Sequence, residues 1–107
     1  MNAEEAEYGV TRELQTWFQS CRDGVWEHSF VIKIETTDNP GWVVTIDLIE
    51  TELVASPHII CNYQIAEDNW MMCQVNDKSQ FVGGGDSQKL IAILAEFARF
   101  RKVLEAQ

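Results

Sequence analysis

Between residues 11 and 22, Leu14, Trp17, Phe18 and Cys21 recur at three- and four-residue intervals. That spacing predicts an amphipathic helix over 11–22, capped by Thr11 and ended at Asp23-Gly24, where glycine can take a left-handed conformation. From Trp26 the period changes to two. Trp26, His28, Phe30, Ile32 and Ile34 fall on one side of a predicted strand, and Glu27, Ser29, Val31, Lys33 and Glu35 on the other. Thr37-Asp38-Asn39-Pro40-Gly41 reads as a chain reversal in which Pro40 fixes its own φ and Gly41 permits a positive one. Beyond it Trp42, Val44, Ile46 and Leu48 share a face opposite Val43, Thr45 and Asp47. The two runs predict an antiparallel hairpin with one apolar and one mostly polar face.

Residues 49–57 read as a connection, or as a strand extension followed by a loop, and Pro57 argues against central pairing there. A third strand is expected from His58 to Ile65 and a fourth from Trp70 to Val75, with Gln80–Val82 as a short fifth. Short turns at 66–69 and 76–79 favour a meander of neighbouring strands. Gly83-Gly84-Gly85 reads as a flexible strand-to-helix joint, with Asp86-Ser87 near the start of a second helix over 87–104. Leu90, Ile91, Leu94, Phe97 and Ala98 supply its apolar spacing, and Arg99, Arg101 and Lys102 complement its C-terminal dipole. The expected fold class is α+β: an N-terminal helix, an antiparallel four- to five-stranded meander sheet and a C-terminal helix, with both helices on the apolar sheet face. Residues 1–107 are expected to make a single domain, with residues 1–10 frayed.

The 46% hydrophobic and 10% aromatic content fits a packed core rather than a disordered segment. Seventeen acidic against eight basic residues give a net charge of −9, which disfavours nucleic acid as a partner and suits a basic protein. No apolar run approaches the ~18 residues that span a bilayer. The acidic start MNAEEAEYGV lacks the basic and apolar regions of a signal peptide, so a cytoplasmic location is expected. Cys21, Cys61 and Cys73 are odd in number, have no paired spacing, and read as free thiols. With His28 and His58 they offer no recognisable zinc pattern, and neither metal nor cofactor is expected.

The triple glycine lacks the spacing of a phosphate loop, and Asp86 puts negative charge where a phosphate would sit. Glu27-His28 has the residue types of an acid–base pair, but neighbours on a strand point to opposite faces. No nucleophile motif accompanies them. Acidic residues make the stronger candidates. Glu27, Glu35 and Asp47 fall on the polar side of the predicted hairpin, tempered by Lys33. Asp38 sits at its tip, and Glu50 and Glu52 lie just beyond it. Trp42 and Trp70, at strand starts, suit either core anchors or interaction hot spots, the core being the commoner place for tryptophan at such positions.

Trp17-Phe18-Gln19-Ser20-Cys21, Asp23-Gly24 and Trp26-Glu27-His28-Ser29 resemble the opening of the immunity protein 53 family. Ile32-Lys33-Ile34-Glu35-Thr36, Asp38-Asn39-Pro40-Gly41-Trp42 and Ile46-Asp47-Leu48 resemble its central signature. Thr51-Glu52-Leu53, Asp68-Asn69-Trp70 and Phe81-Val82-Gly83-Gly84-Gly85 fit the remainder, so the similarity covers roughly residues 14–100. The resemblance implies a non-enzymatic antidote of a bacterial polymorphic-toxin system. Such a protein binds a cognate toxin domain in the producing cell and occludes its active site or a neighbouring surface. Residues 1–10 and the Pro57-His58 region look individual, which places part of the partner specificity there. On this reading the expected toxin contacts are Glu27, Asp38, Trp42, Asp47, Glu50 and Glu52. Two other readings compete: a small acidic ligand-binding or scaffold domain, and a small hydrolase using His28.

Overall fold

The fold is taken from a computed structural model that describes residues 3–105. Helix α1 runs over Ala3–Cys21. It therefore starts well before the predicted Thr11, while Met1 and Asn2 of the segment expected to fray lie outside the described residues. Trp17 points from α1 into the core and is almost fully buried, with Leu14 and Cys21 packed beside it, while Phe18 stays at the rim. Gly24, at φ +91°, turns the chain away from the helix axis.

The next segment corrects the sequence reading. Trp26–Ser29 is a short helix, α2, and the strand begins only at Ile32. Asp23 is the local cause: one of its carboxylate oxygens accepts the backbone N–H groups of Val25 and Trp26, both at 2.9 Å. The Glu27 carboxylate accepts those of Asp23 and Gly24 at 3.1 and 3.0 Å. These bonds wind the backbone and satisfy donors that would otherwise be orphaned at a helix start. Trp26 and Phe30 still share a side because a spacing of four fits both periods, and their ring centroids are 5.9 Å apart. His28, expected among the apolar side chains, is exposed instead.

The strands are β1 (Ile32–Thr37), β2 (Gly41–Asp47), β3 (His58–Ala66), β4 (Asn69–Val75) and β5 (Gln80–Asp86), and α3 spans Leu90–Glu105. All pair antiparallel in one sheet of order β1-β2-β5-β4-β3. The α+β class, the single antiparallel sheet and the flanking helices are as expected. Within the sheet only β3-β4-β5 is a meander; the 48–57 connection carries the chain from β2 to the far edge, and β5 returns to lie between β4 and β2. These four strands form a Greek key. Leu48 and Leu53 anchor the connection by complete burial.

The triple glycine is part of central strand β5 rather than a flexible joint. A Cβ on Gly83 would overlap the Ile93 side chain, and one on Gly85 would lie 2.6 Å from Lys89 Cβ. Their absent side chains let α3 press onto the sheet. Gly41 likewise serves close approach rather than a positive φ, because a Cβ there would overlap the Gly85 carbonyl oxygen. Phe97 of α3 centres the core, edge-on to Trp17 (centroids 5.1 Å apart) and to Phe81 (5.2 Å).

Candidate protein-interaction surface

Alternation along the strands sends Val44, Ile46, Phe81, Met71 and Cys73 under the helices and their sequence neighbours to the opposite side. Among the described residues, no helix covers that second side. Pairing aligns Val43, Gly84 and Met72 in one row across β2, β5 and β4, and Thr45, Val82 and Gln74 in the next. The Trp70 ring lies over Gly84, at ordinary van der Waals distance from where a Cβ would stand. Trp70, Met72, Val43 and Val82 are thus half-buried on an uncovered face. Exposed Lys33 and Glu35 border the band on β1, and exposed Asn62 and Gln64 on β3. An apolar centre within a polar rim is the anatomy of a protein-binding surface.

A buried polar knot fixes Trp70. Asp86 is 3% exposed, and its carboxylate accepts the Trp70 backbone N–H at 2.9 Å, the Gln88 N–H at 2.9 Å and the Lys89 Nζ at 2.8 Å. Lys89 also donates to Asn69 Oδ1 at 2.9 Å. The hydrogen bond from Lys89, followed by those from the two backbone N–H groups, holds the Asp86 carboxyl at a pKa of about 2. The same contact raises the Lys89 pKa. The pair joins the starts of β4 and α3 to the end of β5 and holds the Trp70 backbone.

The six sequence-selected residues do not form one patch. Asp38 is exposed at the tip of the β1–β2 hairpin. Trp42 lies on the helix side of β2, half-buried against the core, and its indole N–H donates to the Ser87 carbonyl at 3.0 Å. Asp47 faces the uncovered side at the far end of β2, where it accepts the Val31 N–H at 2.8 Å and the Gln80 side-chain N–H at 2.9 Å. Glu27, Glu50 and Glu52 belong to that same end, which α2 reaches through the Trp26 indole N–H, donated to the Ile49 carbonyl at 3.1 Å. Glu50 is exposed and holds φ +62°, a conformation that costs a non-glycine residue ~1 kcal/mol. Glu52 is exposed as well.

The Glu27 carboxyl is held below its usual pKa, first by its own backbone N–H and then by those of Asp23 and Gly24, with His28 adding a smaller attraction. A carboxylate stabilised in its ionised form is a weak proton acceptor. Among the described residues, no group of three or more His, Cys, Asp or Glu side chains is arranged to hold a metal ion. None of the helices there is long and apolar enough to cross a membrane. Cys73 is fully buried, and burial pushes its thiol pKa up, so it is inert as a nucleophile.

Charge is unevenly distributed. Three ion pairs, Arg99–Glu96, Arg101–Glu105 and Lys102–Glu13, lie on the α1 and α3 layer. Among the described residues, Asp38, Glu50 and Glu52 form no ion pair. Sequence reasoning placed Val43 on the mostly polar side of the hairpin, assigned no face to Met72 and Val82, and placed Trp70 by preference in the core. The signal was the adjacent apolar pairs Val43-Val44 and Met71-Met72, which make a strand apolar on both sides.

A family model described as Immunity protein 53 matches residues 11–102. No curated protein and no solved structure matches the chain.

Proposed function

The chain belongs to the immunity protein 53 family, and from that membership we propose that it binds a cognate bacterial toxin domain in the cytoplasm of the producing cell and neutralises it by occlusion, without catalysis. The observation that carries this reading is the family match over residues 11–102, nearly the whole chain. The uncovered sheet face supplies the docking surface, with Trp70 and Met72 as anchors and Asp47 and Glu35 on the rim. Asp38, Glu50 and Glu52 act as steering charges for a basic toxin surface. Glu27 and Trp42 act as positioning residues, because their polar groups are spent on the 23–24 backbone and on Ser87.

The test is co-expression with the toxin domain encoded beside this chain, followed by co-purification and calorimetry. The wild type is expected to protect the cell and to form a stable complex. Trp70→Ala should weaken binding about 30-fold or more, the scale of a hot-spot residue. Absence of both complex and protection would overturn the proposal. His28→Ala should retain both; protection lost with binding intact would favour the hydrolase reading instead.

A further inference from the structure

β1 is an edge strand, bonded within the sheet to β2 alone. The Asp47 N–H donates to the Val31 carbonyl at 3.2 Å. By the alternation of an antiparallel ladder, residues 33, 35 and 37 then also turn their backbone groups toward β2. Ile32, Ile34 and Thr36 turn theirs to the free edge. This edge is regular: β1 pairs in unbroken register and contains no proline. The other edge strand, β3, follows Pro57 and has register shifts between Ile59 and Cys61 and between Gln64 and Ala66. Bulges and prolines keep a sheet edge from pairing, and here only one edge has them. Ile34 lies on the helix side of the sheet yet is 44% exposed.

We propose that β1 pairs antiparallel with β1 of a second copy of this chain, about a two-fold axis at Ile34. In that register Ile34 opposes its own counterpart, and Ile32 opposes Thr36 of the second copy. Each of these opposed pairs exchanges two backbone hydrogen bonds. Lys33 falls opposite Glu35 of the second copy and Glu35 opposite its Lys33, at the positions where cross-strand side chains approach most closely. The segment Lys33-Ile34-Glu35 is therefore complementary to itself in charge, apolar contact and backbone bonding, as an isologous interface requires. The net charge of −9 opposes the approach of two copies. It acts over a distance that salt screens, whereas the two Lys–Glu contacts act at close range.

The pairing is tested by sedimentation equilibrium of the full chain and of Lys33→Glu, Glu35→Lys and the double variant. The wild type is expected to dimerise. Each single variant sets like charges opposite one another and should weaken dimerisation about tenfold or more. The double variant restores opposite charges and should return to within a few-fold of wild type. Lys33→Glu makes the chain more acidic and Glu35→Lys less so, so net charge alone would move the two in opposite directions, whereas strand pairing moves them together. Both side chains are exposed, and circular dichroism checks that each variant folds. A wild type that stays monomeric at every concentration overturns the proposal, as does a double variant no better than the singles.

Discussion

Val43 and Val44 are neighbours on one strand, yet they meet different surroundings. Val44 is fully buried beneath the helices, along with Ile46 and Phe81, whereas Val43 lies half-buried on the uncovered face beside Val82 and Met72. The residue types on the two sides differ less than their covering does. On the helix side, burial is completed within the chain and serves stability. On the other side, apolar area is kept at the surface without a cover of its own among the described residues. An apolar band of this kind, bounded by polar residues, is what the proposed toxin docking draws on.

Truncation separates the two sides most clearly. Phe97→Ala removes the ring that joins Trp17 to Phe81 and should cost ~3–5 kcal/mol of unfolding free energy in urea titrations. Met72→Ala on the uncovered face should cost ~1 kcal/mol or less by the same measurement. Equal losses would mean that both sides are core. Glycine substitutions sharpen the contrast on a single strand. Gly83→Ala must displace Ile93 and should destabilise by ~1–3 kcal/mol, whereas Gly84→Ala, which meets only ordinary contacts, should stay within ~0.5 kcal/mol. Thermal melts of the two variants check this.

The Asp86–Lys89 knot is tested by pH rather than by truncation. The Asp86 carboxyl titrates at about 2 when folded against an unfolded value of 3.8. Its contribution is therefore complete above the unfolded value and is lost as pH falls through the folded one. Stability measured from pH 5 downward should fall over that window in the wild type and fall less in Asp86→Asn. Identical slopes would remove Asp86 from the account.

What could be read from sequence was what neighbouring residues determine. The Asp38-Asn39-Pro40-Gly41 reversal, the alternation of β2 and the spacing of α3 rest on contacts a few residues apart. The α2 segment was misread because Trp26 and Phe30, four apart, satisfy both periods, and the deciding bonds come from Asp23 and Glu27 to the backbone. The triple glycine carries no side-chain pattern, and its role is set by Ile93 and Lys89 from another element. Strand order depends on where the 48–57 connection delivers the chain, which composition does not encode. The family was legible from its motifs. The acidic candidates were gathered by proximity in sequence, and the fold distributes them between opposite ends of the hairpin.

The Greek-key order also has a consequence for the time course of synthesis. β5, the strand between β2 and β4, is the last strand in chain order, and its pairing with β2 joins positions as distant as Gly41 and Asp86. As the chain leaves the ribosome, the β1–β2 and β3–β4 hairpins are both complete before their common neighbour exists. Each can form by local contacts alone, but neither can close the sheet. Closure waits for β5, and sealing of the helix side waits for α3 behind it. The uncovered apolar face centred on β5 therefore comes into being in a single late step, and a nascent chain stopped short of residue 80 holds two separate hairpins without it.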